Sequence, residues 1–317
     1  MRKVLCLLVF ALLLAVCGSL SAAEAAESYR VGIVFYDLSN PVWAASGEAI
    51  IAHSKDYNMD VTLLGSENNA ALQVSQMENL IQSGVDAIVV GAVDDNSLTD
   101  VIQRANEAGI KVIGFGTEPQ GCVAYFIVHN YRVVYEAGSQ AAKWINDKLG
   151  GEAKVAVLRF DEMEVLIERG DGIEDALRDI APRAEIVARA HAADAVTGMN
   201  VTESILQEHP DIKVIVCIGD GGGIGANNAV KAANLATDDF CIVSVDGVEE
   251  AVLAIKNGDP LRVSIGLGTY AERGEITTNL LLDVFNDRLE DERVYTPIVP
   301  VDASNVDQYM IDAGYIK

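Results

Sequence analysis

Three acidic residues stand where hydrophobic segments of the sequence end. Asp94, Asp220 and Asp246 each follow such a segment. A carboxylate at the end of a buried strand can accept hydrogen bonds from a polar ligand or cap the next helix. The four histidines are scattered, and neither a nucleophile-elbow nor a zinc-protease motif is present. The sequence therefore predicts ligand-binding carboxylates, with no metal site and no hydrolase chemistry.

The elements that must position these carboxylates follow a regular alternation. Short runs rich in Val and Ile, without polar alternation, are typical of parallel strands buried on both faces. Strands are predicted at 30–35, 59–64, 87–90, 111–115, 154–158, 184–190, 214–218, 240–245 and 261–265. Amphipathic stretches between them predict helices at 70–83, 96–108, 201–208 and 272–286. The segments 87–115 and 214–246 follow one plan, which predicts an α/β fold of two doubly wound parallel-sheet lobes with a cleft between them.

Composition excludes several classes of partner. The chain has 317 residues, 50% of them hydrophobic and 22% charged, as expected for a packed globular protein. Its 47 acidic and 23 basic residues give a net charge of -24. Because such a charge repels phosphate backbones and anionic lipids, no nucleic-acid partner is expected.

The first 25 residues have the pattern of a secretory signal peptide. Arg2 and Lys3 precede an apolar run at 4–16, and small residues follow. The run is too short to cross a membrane comfortably. The segment 14–17 resembles a lipoprotein processing box, but Val16 stands where such boxes have a small residue. An exported, periplasmic protein is expected, with a lipid-anchored form as the alternative.

Signal cleavage leaves three cysteines: Cys122, Cys217 and Cys241. Export permits disulfides, so a bridge between Cys217 and Cys241 on neighbouring strands is one interpretation. The favoured interpretation is that both thiols are unpaired and buried inside apolar strands.

A glycine cluster after Asp220 favours a different function. Gly221-x-Gly223-x-x-Ala226 follows a predicted strand and opens a predicted helix, with Asp246 ending the next strand. This order is close to the dinucleotide fingerprint, in which glycines let the backbone approach a pyrophosphate. Because nicotinamide cofactors are scarce outside the cytoplasm, a secreted dinucleotide-dependent oxidoreductase stays a remote alternative, and no cofactor is expected.

Five motifs in order resemble those of periplasmic substrate-binding proteins of the ribose-binding type, over about residues 29–302. They are Ser39-Asn40-Pro41-Val42-Trp43, Gly84-Val85-Asp86-Ala87-Ile88-Val89-Val90, Glu168-Arg169-Gly170-Asp171-Gly172, His209-Pro210-Asp211-Ile212 and Val245-Asp246-Gly247. The resemblance implies a periplasmic binding protein of type I, a non-enzymatic monomer that closes around a sugar or polyol by hinge motion and delivers it to an ABC permease. A sensory binding protein that signals to a chemoreceptor or sensor kinase is the alternative.

The resemblance also implies lobe boundaries. The N-terminal lobe is expected at 28–128 plus 267–293, and the C-terminal lobe at 129–266 plus 294–317. Three segments should join the lobes, near Val128, Gly266 and Arg293.

Ligand contacts follow from the same resemblance. Asn40 and Asp246 match positions that hydrogen-bond sugar hydroxyls, Trp43 matches an aromatic ring against the sugar, and Tyr36 matches a tyrosine contact of some members. Each of these has an alternative role: Asn40 as a helix cap before Pro41, and Trp43 as a core residue. The other expected contacts are Asp94, Thr117 and Asp220, of which Asp94 and Asp220 can instead close strands or cap helices.

Several positions depart from the ribose-binding pattern. Gly116 and Thr117 replace an Asp-Arg pair, and single polar anchors are replaced at Ile167, Gly219 and Leu267. Because two arginines are lost, sugar acids and phosphates are disfavoured. The departures favour a smaller or less polar polyol, or an unusual sugar, over ribose.

Overall fold

The computed structural model describes residues 28–39, 41–160, 164–192 and 194–316. Within these ranges the chain forms two six-stranded sheets with helices packed against them. The predicted α/β class with two doubly wound sheets is confirmed.

The first sheet is parallel throughout and has the order β11-β5-β4-β3-β1-β2. Its strands are β1 (Tyr29–Phe35), β2 (Met59–Gly65), β3 (Ala87–Gly91), β4 (Lys111–Phe115), β5 (Ala124–Ile127) and β11 (Arg293–Tyr295). The second sheet has the order β12-β10-β9-β8-β6-β7, in which β12 is antiparallel to β10 and the other pairs are parallel. Its strands are β6 (Lys154–Arg159), β7 (Glu185–His191), β8 (Val214–Cys217), β9 (Cys241–Asp246), β10 (Leu261–Gly266) and β12 (Val299–Val301).

Ten α-helices lie in the described ranges. They are α1 (Pro41–Ser54), α2 (Ala70–Ser83), α3 (Thr99–Glu107), α4 (Asn130–Lys148), α5 (Glu164–Ile180), α6 (Ala195–Glu208), α7 (Asp220–Ala232), α8 (Glu249–Lys256), α9 (Tyr270–Phe285) and α10 (Val306–Asp312). Asn69 caps α2 by accepting a hydrogen bond from the Leu72 amide, while Gly84 ends it in a left-handed conformation with φ of 69°. These local signals explain why α2 has the predicted bounds.

Both faces of each sheet are buried, as the uninterrupted apolar runs predict. In β1, Ile33 packs into one core while its neighbour Val34 packs into the core on the opposite face. In β6, Val157 and Leu158 divide between two cores in the same way. We call each sheet with its flanking helices a lobe.

The described chain passes between the lobes at residues 128–129, 267–269 and 296–298. The third passage follows β11, which pairs with β5 in the first sheet. The chain therefore stays in the first sheet through Tyr295. Helix α9 lies in the first lobe, where Leu280 and Leu281 join the core.

Both cysteines of the second sheet are free and fully buried. Cys217 packs into the core on one face of the sheet and Cys241 into the core on the other. Because the side chains lie on opposite faces, the structure holds two buried thiols, and the alternative of a bridge is wrong. Burial raises the pKa of both thiols.

The predicted signal peptide lies outside the described residues. Among the helices that the structure describes, none combines the length and apolar character needed to cross a membrane.

Candidate functional site

Asp246 lies at the carboxyl end of β9 in a turn of unusual backbone geometry. Its φ is 118°, a region that L-residues rarely adopt. The turn is held from several sides: the Gly247 amide donates to Ser264 Oγ at 3.0 Å, and the Tyr315 hydroxyl donates to the Gly247 carbonyl at 2.9 Å. Residues held in sparsely populated conformations cluster at ligand clamps and active sites. The surrounding contacts therefore fix the backbone of the turn from which the Asp246 side chain extends.

The electrostatic setting of Asp246 includes a nearby arginine. Arg169 Nη1 lies 3.8 Å from Asp246 Oδ1, and the same guanidinium donates to the Ile218 carbonyl and to Asn130 Oδ1, each at 3.0 Å. Burial raises the pKa of Asp246, and the Arg169 charge opposes that shift. The Asp246 side chain keeps 37% of its surface exposed. Its carboxylate can therefore still accept hydrogen bonds from a ligand.

Asp220, the first residue of α7, lies behind this turn and is 1% exposed. Its Oδ1 accepts from Ser264 Oγ at 2.7 Å and from Ser244 Oγ, and its Oδ2 accepts from the Val248 amide at 2.8 Å. These three donors provide both oxygens of the Asp220 carboxylate with hydrogen bonds inside the second lobe. Asp220 therefore supports the turn that follows Asp246 rather than facing open space.

Stability should depend on pH through Asp220. Burial, and then the negative charge of Asp246, raise the pKa of Asp220 to about 7, from 3.8. The pKa of Asp220 is higher in the folded than in the unfolded protein, so protonation of Asp220 stabilises the fold. This stabilisation is complete below about pH 4 and is lost as the pH rises through about 7. Between pH 4 and 8, wild-type unfolding free energy should fall relative to that of Asp220→Asn by at least about 1.4 kcal/mol, one pKa unit. Chemical denaturation across this range measures the difference, and parallel curves would contradict it.

Trp43 and Tyr36 form an aromatic cluster at the carboxyl end of the first sheet. The Trp43 ring centroid lies 4.5 Å from that of Tyr36, 5.0 Å from Phe35 and 5.7 Å from Phe115. The ring rests on the end of β3, since a Cβ built on Gly91 would lie 2.4 Å from Trp43 Cζ3. Trp43 and Tyr36 are half-buried. Trp43 therefore packs as a core residue while keeping part of its surface exposed.

Asp94 and Thr117 have local structural roles at the same end of the sheet. Asp94 is exposed, and its Oδ1 accepts from the Asn96 amide at 2.8 Å, which caps the short turn before α3. Thr117 Oγ1 accepts from the Ala92 amide at 3.0 Å and ties the loop after β4 to the end of β3. The predicted contact Asn40 lies outside the described residues.

A cavity of about 250 Å³ lies between the lobes beside Asp246. Val42 of α1 lines it from the first lobe, and Asp246 and Val248 line it from the second. The remaining lining residues come from the second passage, the first turn of α9 and the C-terminal segment: Leu267, Gly268, Thr269, Tyr270, Arg273, Tyr309, Ala313 and Tyr315. Its volume is just below the ~300 Å³ lower end for ligand pockets and suits a small solute.

The structure brings one of the predicted contacts to this cavity, namely Asp246. Tyr36, Trp43, Asp94 and Thr117 stay at the end of the first sheet. Sequence reasoning missed Arg273 and the phenols of Tyr270, Tyr309 and Tyr315. One signal for Arg273 was present: it is a cation in the first turn of a helix, where the helix dipole disfavours positive charge.

The glycine cluster of α7 is used for helix packing. A Cβ on Gly225 would lie 2.3 Å from the Ala195 carbonyl oxygen, and one on Gly222 would lie 2.9 Å from that of Ala192. Gly225 therefore packs against α6, and Gly222 packs against the residue that follows β7. Of the fingerprint glycines, Gly223 packs against β9, since a Cβ at this position would lie 2.6 Å from Ser244 Cβ. Its backbone is therefore not open to a pyrophosphate. Among the residues the structure describes, no cluster of His, Cys, Asp and Glu could hold a metal ion.

Known proteins share this sequence pattern and this fold. A family model described as periplasmic binding protein domain matches residues 31–284. The ribose import binding protein RbsB of Bacillus subtilis (strain 168) is 27% identical over 274 residues, covering 86% of this chain and 85% of that protein. A xylitol-binding protein of Mycolicibacterium smegmatis is 29% identical over 260 residues, covering 81% and 72%.

Solved structures show the same architecture. A periplasmic ribose ABC transporter protein from Conexibacter woesei superposes with a TM-score of 0.78 at 23% identity, covering 93% of this chain and 98% of that one. A solute-binding protein from Bacillus halodurans C-125 with bound myo-inositol gives a TM-score of 0.70 at 22% identity, covering 92% and 100%. Since the family model spans most of the chain, the protein belongs to the periplasmic binding protein domain family.

Proposed function

We propose that the protein is an extracytoplasmic binding protein that holds a small sugar or polyol between its lobes and delivers it to an ABC transporter. The observation that carries the proposal is the interlobe cavity beside Asp246. A carboxylate accepts hydrogen bonds from hydroxyl groups, and the rings of Tyr270, Tyr309 and Tyr315 supply flat apolar surface. The Tyr309 and Tyr315 hydroxyls donate to the Gly247 carbonyl and can still accept a hydrogen bond. These are the groups that a polyol requires.

Capture depends on movement of the lobes. The three passages at 128–129, 267–269 and 296–298 mark the proposed lobe boundaries, and the cavity walls come from both sides of them. Hinge closure over the solute would bury it and create the surface that the membrane subunits recognise. The monomer performs no bond-breaking step in this cycle, and release to the permease completes it.

The relatives support a sugar or polyol as the solute. Named relatives include the ribose import binding protein and the xylitol-binding protein, and similar folds have been solved with D-allose and with myo-inositol bound. The signal-peptide pattern of residues 1–25 supports export to the periplasm. Asp246 is the proposed hydroxyl acceptor. Trp43 and Tyr36, which lie outside the lining of this cavity, and Asn40 are proposed contacts that the solute gains when the lobes close.

A thermal-shift screen of the purified protein tests this function. Pentoses, hexoses, deoxy sugars and polyols are added singly, and at least one should raise the melting temperature, because a ligand bound by the native state alone stabilises it. At a concentration 100 times the Kd the gain is about 2.7 kcal/mol. Isothermal titration then gives the Kd of each hit. A rise in melting temperature with a dinucleotide, and no rise with any sugar or polyol, would overturn the proposal.

A further inference from the structure

Arg273, in the first turn of α9, lines the interlobe cavity without using its guanidinium group in the fold. Its Nε is buried and has no hydrogen-bond partner, and its guanidinium makes no hydrogen bond or ion pair within the described ranges. The guanidinium lies over the face of the Tyr270 ring, whose centroid is 5.6 Å from Arg273 Cζ. The buried donor is therefore left unsatisfied.

Arg262 shows what a structural arginine looks like in the same chain. Its guanidinium also lies 5.6 Å from an aromatic centroid, that of Trp144. In contrast to Arg273, its three nitrogens donate to backbone carbonyls: Nε to Phe240 at 3.1 Å, Nη1 to Gly258 at 3.0 Å and Nη2 to Thr237 at 3.0 Å. Both arginines are partly buried. The two arginines share aromatic stacking and differ in hydrogen bonding, since Arg262 uses all three of its guanidinium nitrogens.

The position of Arg273 is unfavourable for the free protein. Burial lowers the pKa of the guanidinium, and the first turn of a helix disfavours a cation. An unsatisfied buried donor adds a further cost. Costs of this kind are tolerated in proteins at functional sites.

Among the described residues that line the cavity, the carboxylate is that of Asp246, from the opposite lobe. The charges of the two residues influence each other, while Arg169 already lies against the same carboxylate. The cavity wall thus offers a donor that lacks an acceptor, on Arg273, and an acceptor that is partly exposed, on Asp246. A ligand that bridges the two needs one oxygen that accepts and one hydroxyl that donates.

We infer that Arg273 is a specificity-determining ligand anchor, which donates to one oxygen of the solute while Asp246 accepts from one of its hydroxyls. The inference rests on the proposed function and narrows it: the solute presents an accepting oxygen to the first lobe and a donating hydroxyl to the second. The bridge joins α9 of the first lobe to β9 of the second, so the solute itself favours the closed arrangement. An analogue that lacks either oxygen binds more weakly.

The test compares Arg273→Met with the matched variant Arg262→Met. Methionine keeps apolar packing against the aromatic ring and removes the guanidinium. Melting temperatures are measured without ligand and with D-ribose, D-allose, xylitol or myo-inositol at millimolar concentration, and titration calorimetry gives the Kd for each compound that raises the wild-type value. Arg273→Met should weaken binding at least tenfold and leave the ligand-free melting temperature unchanged or higher. Arg262→Met should lower the ligand-free melting temperature and keep wild-type affinity.

Two results would overturn the role of Arg273: unchanged affinity in Arg273→Met, or a ligand-free stability loss as large as that of Arg262→Met. If the wild type ignores all four compounds, these probes fail to support the proposed function. The ligand-free comparison then decides about Arg273. Greater stability of Arg273→Met supports an anchor kept for binding, and lower stability assigns the residue to the fold.

Discussion

Replacing Asp246 by alanine is expected to weaken solute binding at least tenfold, which corresponds to about 1.4 kcal/mol. The carboxylate lines the interlobe cavity and keeps 37% of its surface exposed, while Arg169 and the turn after β9 hold it in place. Alanine removes both oxygens that can accept from a hydroxyl. Titration calorimetry with the solute identified by the thermal-shift screen measures the loss. An Asp246→Ala protein with wild-type affinity would remove Asp246 from the binding site.

Asp246→Gly separates binding from folding at this position. Glycine also lacks the carboxylate, but it adopts a φ of 118° without the penalty that other residues carry. Relief of such a backbone conformation is worth about 1–3 kcal/mol. We therefore expect Asp246→Gly to lose affinity as Asp246→Ala does, and to unfold at the same or a higher temperature than Asp246→Ala. If Asp246→Ala and Asp246→Gly lose the same affinity but differ in stability, the loss of affinity comes from the missing ligand contact and not from misfolding.

Replacing Gly225 by alanine should destabilise the protein by about 3 kcal/mol, a large value for one added methyl group. The new Cβ would lie 2.3 Å from the Ala195 carbonyl oxygen and 2.5 Å from the Met199 amide nitrogen. Both are backbone atoms of α6, so no side-chain rotation can relieve the contact and the two helices must separate. Chemical denaturation of the ligand-free protein measures the effect.

Asn228→Ala is the matched control for Gly225→Ala. Asn228 lies on the exposed face of the same helix, α7, where added or removed atoms meet solvent. Since alanine is the better helix former, this control should leave stability unchanged or slightly raised. Wild-type stability of Gly225→Ala would show that α6 and α7 tolerate separation, and it would reopen a ligand-binding role for the glycine cluster.

The strands and helices could be predicted wherever local pattern and local capping agree. The segment 111–115 has the bounds of β4, and 70–83 has the bounds of α2, where Asn69 and Gly84 mark the ends. The strands β5, β11 and β12 were missed. They have four, three and three residues, and their strand character comes from pairing with distant segments. Such short runs carry too little periodicity to distinguish a strand from a loop.

The candidate site could also be predicted only in part from the sequence. Asp246 was predicted from the resemblance to ribose-binding proteins, and its place at the end of a predicted parallel strand agrees with a ligand-facing position. Asp94 and Asp220 satisfy the same rule, yet one caps an exposed turn and the other is enclosed by serine hydroxyls. Strand position alone does not determine which carboxylate remains open, because that depends on donors from other segments.

The sequence by itself determined the α/β class, the two similar sheets and the place of Asp246, because burial on both faces of a parallel strand leaves a continuous apolar run that ends at the ligand edge. Only the tertiary structure decided that Gly225 of α7 lies against α6, and that Arg273 of the first lobe shares a cavity with Asp246 of the second. Both depend on how helices return across the sheets after each passage between the lobes. Close approach between such segments is set by packing of the whole chain, and no local pattern in the sequence records it.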